Sequence, residues 1–270
     1  MNILIHRYGW GFFSSQLCPH IRGVFCLWLL NFAKSIWGDM HRKLNIIITG
    51  GNRGIGYGLL KILSVKHNVI ITVRDDKKGQ KTITEFRNSK NEINYVVMDI
   101  DNIDSVKKAG DNIAQKFNNV DLLINNAGIL LNEYQVPALE TTEDSILKTF
   151  NTNTLGVLKV CKSIVPLMAN GGRIINISSG MGQLDEMGSG STAYRISKTS
   201  LNALTKILSN ELSGMGIKIN TICPGWVQTD MGGENATLTI EESTAKIAAF
   251  ALRDNFPNGQ FLRHGEYIPW

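Results

Sequence analysis

Tyr194 and Lys198 stand four residues apart in the stretch STAYRISKTSL, which is patterned like a helix. Side chains at i and i+4 share a helix face, so the phenol and the ammonium are neighbours. A free tyrosine titrates at about 10 and is a slow base near neutrality. A cation beside it favours the phenolate and lowers that value. Such a pair can move a proton to or from a substrate oxygen. The same spacing also occurs in ordinary surface helices, so the rest of the chain has to decide.

A second set of residues suggests the partner of that chemistry. The apolar run LNIIITG leads directly into TGGNRGIGYG, with Gly50, Gly54 and Gly56 at the turn and at the start of a helical pattern. Glycine lets backbone approach a pyrophosphate closely, and a helix N-terminus offers free N–H groups and a favourable dipole. Asn52, Arg53 and Ile55 belong to the same loop. The next apolar run ends in Val73-Arg74-Asp75-Asp76. Arg74 suits the 2′-phosphate of NADP, because a guanidinium pairs bidentately with phosphate, and Arg53 can approach that phosphate from the glycine loop. The competing assignment leaves both arginines solvated and gives the adenosine ribose of NAD to Asp75. The expectation is NADP (NADPH), with NAD second.

These residues need a scaffold, and the pattern supplies one. The runs LNIIITG, NVIITVR, INYVVMD, VDLLINNAG, RIINISS and KINTICPG lack the polar alternation of half-exposed strands. Continuous apolar strands belong in a parallel sheet covered on both faces. Helical spacing fills the intervals 56–66, 77–89, 104–117, 143–165 and 194–213. Alternation of strand and helix gives right-handed crossovers, hence an α/β fold, a Rossmann-type doubly wound parallel sheet in a single domain. One more helix is expected at 240–252, opened by Thr239 and Glu242 as a capping box, with a short last strand near 260–262.

Bulk properties exclude other classes. A net charge of +5 is too mild to indicate nucleic acid. Cys18, Cys26, Cys161 and Cys223 form no C-x-x-C pair and the five histidines are scattered, so neither a disulfide framework nor a metal site is expected. A reducing, cytoplasmic setting fits. Residues 1–39 form an N-terminal extension with no acid before Asp39, followed by the catalytic domain at 40–270. The apolar run at 24–30 falls short of the roughly 20 residues of a membrane span. The extension reads as an organelle-targeting segment, which would make the protein mitochondrial, as an interfacial stretch, or as sequence upstream of a functional start at Met40.

Further motifs appear in order: NNAG at 125–128, Asn153 in NTLG, Ser179 in NISS, Tyr194 with Lys198, and PGWVQT at 224–229. With T-G-x-x-x-G-x-G, this set resembles the short-chain dehydrogenase/reductase family over about residues 44 to 270. MGQLDEMGSGSTAYRISK, CPGWVQTDMGG and GEYIPW are similar to its C-factor and sniffer-like carbonyl reductase branch. The resemblance implies an NADP-dependent carbonyl reductase or alcohol dehydrogenase. In it Tyr194 exchanges the proton, Ser179 holds the substrate oxygen, Lys198 tunes the phenol and grips the nicotinamide ribose, and Asn153 anchors a water. It further implies that Asp99 and Ile100 meet the adenine, that Asn126, Ala127 and Gly128 line the cofactor, and that Pro224, Gly225, Val227 and Thr229 pass beside the nicotinamide.

Ser178 competes with Ser179, but successive strand residues face opposite ways, and the family motif aligns with the second. A homodimer through the helices at 143–165 and 194–213 is implied by the resemblance, as is a small substrate lid. The alternative function is a C-factor-like signalling or regulatory protein that binds the dinucleotide with little turnover. A hydrolase is disfavoured, because there is no G-x-S-x-G elbow. The substrate and its stereochemistry are not legible.

Overall fold

Strand formation follows the apolar runs. In the computed structural model, which describes residues 42–131 and 134–270, the first four strands are β1 (Asn45–Thr49), β2 (Asn68–Val73), β3 (Ile93–Val97) and β4 (Val120–Asn125). They are followed by β5 (Met168–Ile177), β6 (Lys218–Cys223), β7 (Phe261–Arg263) and β8 (Glu266–Tyr267). The sheet order is β3-β2-β1-β4-β5-β6-β7-β8. Every pairing is parallel except β7 with β8. The chain winds outward from β1 in one direction and from β4 in the other. The carboxyl ends of these two strands therefore border the switch point where such sheets bind ligands.

The helices between them are α1 (Gly54–Leu63), α2 (Asp76–Thr84), α3 (Ile103–Lys116), α4 (Glu143–Phe150), α5 (Val157–Ile164), α6 (Thr192–Glu211) and α7 (Ile240–Leu252). One apolar core fills the face under α3, α5 and α6, with Ile47, Leu123, Ile174 and Ile219 pointing into it. The other lies under α1 and α7, fed by the alternate residues Ile46, Ile48, Leu122 and Ile175. Each central strand therefore buries both faces, which explains the absence of polar alternation. Residues Lys43–Trp270 form one compact unit, an α/β fold of the doubly wound type.

Two elements differ from expectation. The predicted helix at 143–165 is interrupted by a π-turn, Asn151–Gly156, which separates α4 from α5. An inserted residue of this kind re-aims the side chains around it and is common at functional sites, and Asn153 lies inside it. The last strand is extended by a short antiparallel partner, β8. The capping box of α7 is present, with Thr239 and Glu242 each accepting from the other's backbone N–H. The readings of residues 1–39 fall outside the described residues. Among the described residues no helix is long and apolar enough to cross a membrane.

Candidate active site

The helix α6 delivers both residues of the opening pair to the interior. Tyr194 is 8% exposed and Lys198 4%. The turn before it is tight: Gly190 and Ser191 both adopt positive φ, and a Cβ at Gly190 would lie 2.3 Å from the Tyr134 carbonyl oxygen. A serine in the left-handed region stores strain of order 1–3 kcal/mol. Arg195 stabilises the turn from behind, donating to the Gly190 carbonyl (2.9 Å) and the Ser189 carbonyl (3.2 Å).

Ser179 reaches Tyr194 from the end of β5. Its hydroxyl is near enough to the phenol to favour the ionised form, and it accepts from the Met181 N–H at 3.1 Å, so it fixes the short turn Gly180–Gly182. That turn is fastened to α6 between about one and two helical turns beyond Tyr194. The Gly182 carbonyl accepts from Thr199 Oγ1 (3.0 Å) and Asn202 Nδ2 (3.1 Å), and a Cβ on Gly182 would stand 2.7 Å from Lys198. Ser178 is 2% exposed, and its hydroxyl donates to the Lys198 carbonyl at 3.4 Å. The hydroxyls of the two serines therefore have different partners, although it is Ser178 and not Ser179 that is among the residues lining the cleft that runs from this corner.

Lys198 donates to the Ile177 carbonyl at 2.9 Å, and its Nζ lies 5.6 Å from the centroid of the Tyr194 ring. Burial pushes this ammonium down to about 8. Burial also raises the Tyr194 phenol above the ordinary tyrosine value, and the charges of Cys223 and Tyr134 add to the rise, while the Ser179 hydrogen bond opposes it. The expectation that Lys198 makes the phenol acidic is therefore corrected. In the structure, desolvation disfavours the phenolate and is the largest influence on this phenol.

Asn153 is fully buried, and each end of its amide is engaged. Oδ1 accepts from the Ile129 N–H (2.8 Å), and Nδ2 donates to the Ile129 carbonyl (2.9 Å) and Ser197 Oγ (3.0 Å). It ties the loop after β4 to α6, and the π-turn is what aims it there. A Cβ on Gly128 would meet Asn153 Oδ1 at 3.0 Å and Lys198 Nζ at 3.5 Å, so the three lie together.

From this corner a cleft runs along the carboxyl ends of the strands. Gly50, Asn52, Arg53, Gly54, Ile55, Arg74, Asp99, Ile100, Asn126, Ala127, Gly128, Pro224 and Thr229 line it, together with Tyr194 and Lys198. Gly56, Gly225, Val227, Asn153 and Ser179 are not among its lining residues. Gly56 lets α1 pack on the turn, since a Cβ there would be 2.3 Å from the Gly50 carbonyl oxygen. Gly225, at φ +84°, makes the turn after Pro224, and Val227, 4% exposed, bridges Leu238. Thr72, Val73, Met98, Asp101, Ile129, Thr152, Ile177, Ser178 and Met231 also line the cleft and were missed. Several stand at or just beyond strand carboxyl ends, and that position is the signal that could have found them.

The cleft fits a dinucleotide. Gly50 and Gly54 both take positive φ, and the N-cap Arg53 gives α1 no side-chain acceptor, with no acid in the first turn. The helix presents its N–H groups for an anion. The Asn126 amide donates to the Thr49 (2.9 Å) and Gly50 (3.0 Å) carbonyls, locking the glycine turn to β4. Asp99 accepts from the Asp101 N–H at 3.2 Å while facing the cleft. Asp75 is engaged elsewhere: Oδ1 caps α2 by accepting from the Lys78 N–H at 2.8 Å. The acid of the NAD-type assignment is thus committed to a helix, whereas Arg74 lines the cleft.

The sequence profile of the short chain dehydrogenase family matches residues 44–238. The chain belongs to this family. Mouse carbonyl reductase [NADPH] 1 is 27% identical over 277 residues, covering 83% of this chain and 97% of that protein. Among solved structures, carbonyl reductase Sniffer of D. melanogaster superposes with a TM-score of 0.76 at 30% identity, covering 85% of this chain and 100% of that one. NADPH-bound carbonyl reductase from chicken fatty liver gives 0.77 at 28% identity, with the same coverages. This short-chain dehydrogenase therefore shares its fold with reductases over nearly their whole length.

Proposed function

We propose that the chain is an NADP(H)-dependent carbonyl reductase, interconverting a carbonyl compound and an alcohol, with Ser179, Tyr194 and Lys198 as its catalytic residues. The observation that carries this reading is the buried Tyr194 beside Lys198, whose Nζ is 5.6 Å from the phenol ring centroid, in a corner whose cleft extends to Arg53 and Arg74. The names of the relatives support it, and they do not favour a signalling protein with little turnover.

The glycine turn from Gly50 to Gly56 and the α1 N-terminus hold the pyrophosphate, Arg53 and Arg74 the 2′-phosphate, and Asp99 and Ile100 the adenine. Asn126, Ala127, Gly128, Pro224 and Thr229 form the walls near the nicotinamide, while Gly225 and Val227 shape the turn behind them. When bound, the nicotinamide supplies the hydride. Ser179 donates a hydrogen bond to the substrate oxygen where negative charge develops. Tyr194 carries its proton at neutral pH and transfers it from Oη to that oxygen. Once the proton has left, the Lys198 ammonium stabilises the phenolate. Asn153 positions the β4 loop against α6 beside it.

The functional domain is residues 40–270, acting as a homodimer in the cytoplasm. Exposed Leu147, Ile196 and Ile207 on α4 and α6 support pairing of these helices between copies.

Oxidation of NADPH and NADH across aldehydes, ketones and quinones tests the assignment, with Arg74→Ala alongside. NADPH is expected to be preferred, and the variant to lose about 10- to 100-fold in kcat/KM for NADPH with little change for NADH. A wild-type preference for NADH would contradict it.

A further inference from the structure

The rim of the cleft carries a charge pair in which Arg53 has a proposed role and its partner, Asp230, has none. Arg53, the N-cap of α1, extends its guanidinium to Asp230, with Nη1 2.5 Å from Oδ2. Their side chains are 61% and 79% exposed. Asp230 sits in a loop, residues 226–238, that is braced from within. Val227 bridges Leu238, and the Gln228 N–H donates to the Leu238 carbonyl at 2.8 Å. The Leu238 N–H returns a bond to the Trp226 carbonyl at 3.0 Å. Across the loop the Tyr134 hydroxyl donates to the Met231 carbonyl at 2.9 Å. Thr229 and Met231, the neighbours of Asp230, line the cleft together with Arg53 and Arg74.

Arg53 therefore serves two anions, a carboxylate fixed on the loop and the phosphate of a ligand in the cleft. An exposed carboxylate pair is weak and screened by water. A phosphate dianion brings more charge and binds a guanidinium bidentately. The two cannot both have the full fork of donors, so binding of one is at the expense of the other.

The geometry points to Asp230 as a specificity-determining residue that competes with the cofactor's 2′-phosphate for Arg53. This rests on the NADP(H) reading above. Its carboxylate holds Arg53 across the mouth of the cleft until the phosphate displaces it. The competition weakens binding of the phosphorylated adenosine without touching the chemistry, and it frees loop 226–238 from the glycine turn when the cofactor arrives.

Calorimetric titration of the full chain with 2′,5′-ADP and with 5′-ADP tests this without turnover. Asp230→Asn is expected to tighten 2′,5′-ADP about two- to fivefold, the scale of an exposed ion pair, and to leave 5′-ADP unchanged. In an Arg53→Ala background the same substitution is expected to have no effect on 2′,5′-ADP. Unchanged affinity in Asp230→Asn would overturn the competition. So would an equal gain in the Arg53→Ala background, which would mean simple repulsion between carboxylate and phosphate. Failure of the wild type to bind either nucleotide would overturn the dinucleotide reading itself.

Discussion

The two ends of the cleft are built on opposite electrostatic plans. At the end proposed as catalytic, Tyr194, Lys198 and Asn153 are buried, and Lys198 and Asn153 are tied by hydrogen bonds to other elements. At the proposed phosphate end, Arg53 and Arg74 are exposed, and the partner of Arg53 is a still more exposed carboxylate. Burial makes charge expensive and fixes protonation states. Exposure makes charge cheap, mobile and sensitive to salt. The first plan suits a proton that must be held until it is needed. The second suits a ligand that must arrive and leave.

The largest expected effect breaks the buried end. Tyr194→Phe is expected to lower kcat by about 10²- to 10⁴-fold while binding of 2′,5′-ADP stays within twofold of the wild type by roughly the margin for non-contacting changes. A kcat within about threefold of wild type would remove Tyr194 from the chemistry. A smaller effect sharpens the contrast. Raising ionic strength from about 0.05 to 0.5 M shrinks the screening length severalfold and is expected to raise KM for NADPH severalfold, with kcat at saturation little changed. A fall in kcat with constant KM would reverse the assignment of the two ends.

The smallest effect concerns Lys198, whose ammonium is pushed from 10.5 down to about 8. Between these values the unfolded chain holds a proton that the folded chain has shed, so stability from this group rises with pH across that window. Below about 8 both states are protonated and the burial penalty is present in full. Urea midpoints measured at intervals from about pH 7 to 10 are expected to show that upward component in wild type and to lack it in Lys198→Met. An identical pH dependence in both proteins would show that this lysine is not desolvated.

Local signals carried much of the fold. The six apolar runs of the parallel strands, the glycine turn and the Thr239–Glu242 box each act within a few residues, so their consequences are written in adjacent positions. What escaped depends on contacts between distant segments. Nothing in NTNTLG marks a π-turn, because it is stabilised by the bonds of Asn153 to Ile129 and Ser197, residues 24 and 44 positions away. Asp75 reads in the sequence only as a possible ribose contact, and its bond to the Lys78 N–H, which caps α2, is visible only in the structure. Tyr194 was misjudged in direction, since the i+4 lysine is visible in sequence but the surrounding desolvation is a sum over many elements.

The central claim is that burial keeps the Tyr194 proton in place for delivery to the substrate. Ultraviolet difference titration of the wild type against Tyr194→Phe tests this most directly. The tyrosinate signal of Tyr194 is expected only above the ordinary tyrosine value of 10.0, with none below about pH 9. A tyrosinate appearing between about pH 6 and 8 would show that the neighbouring cation governs the phenol after all, and would contradict the account.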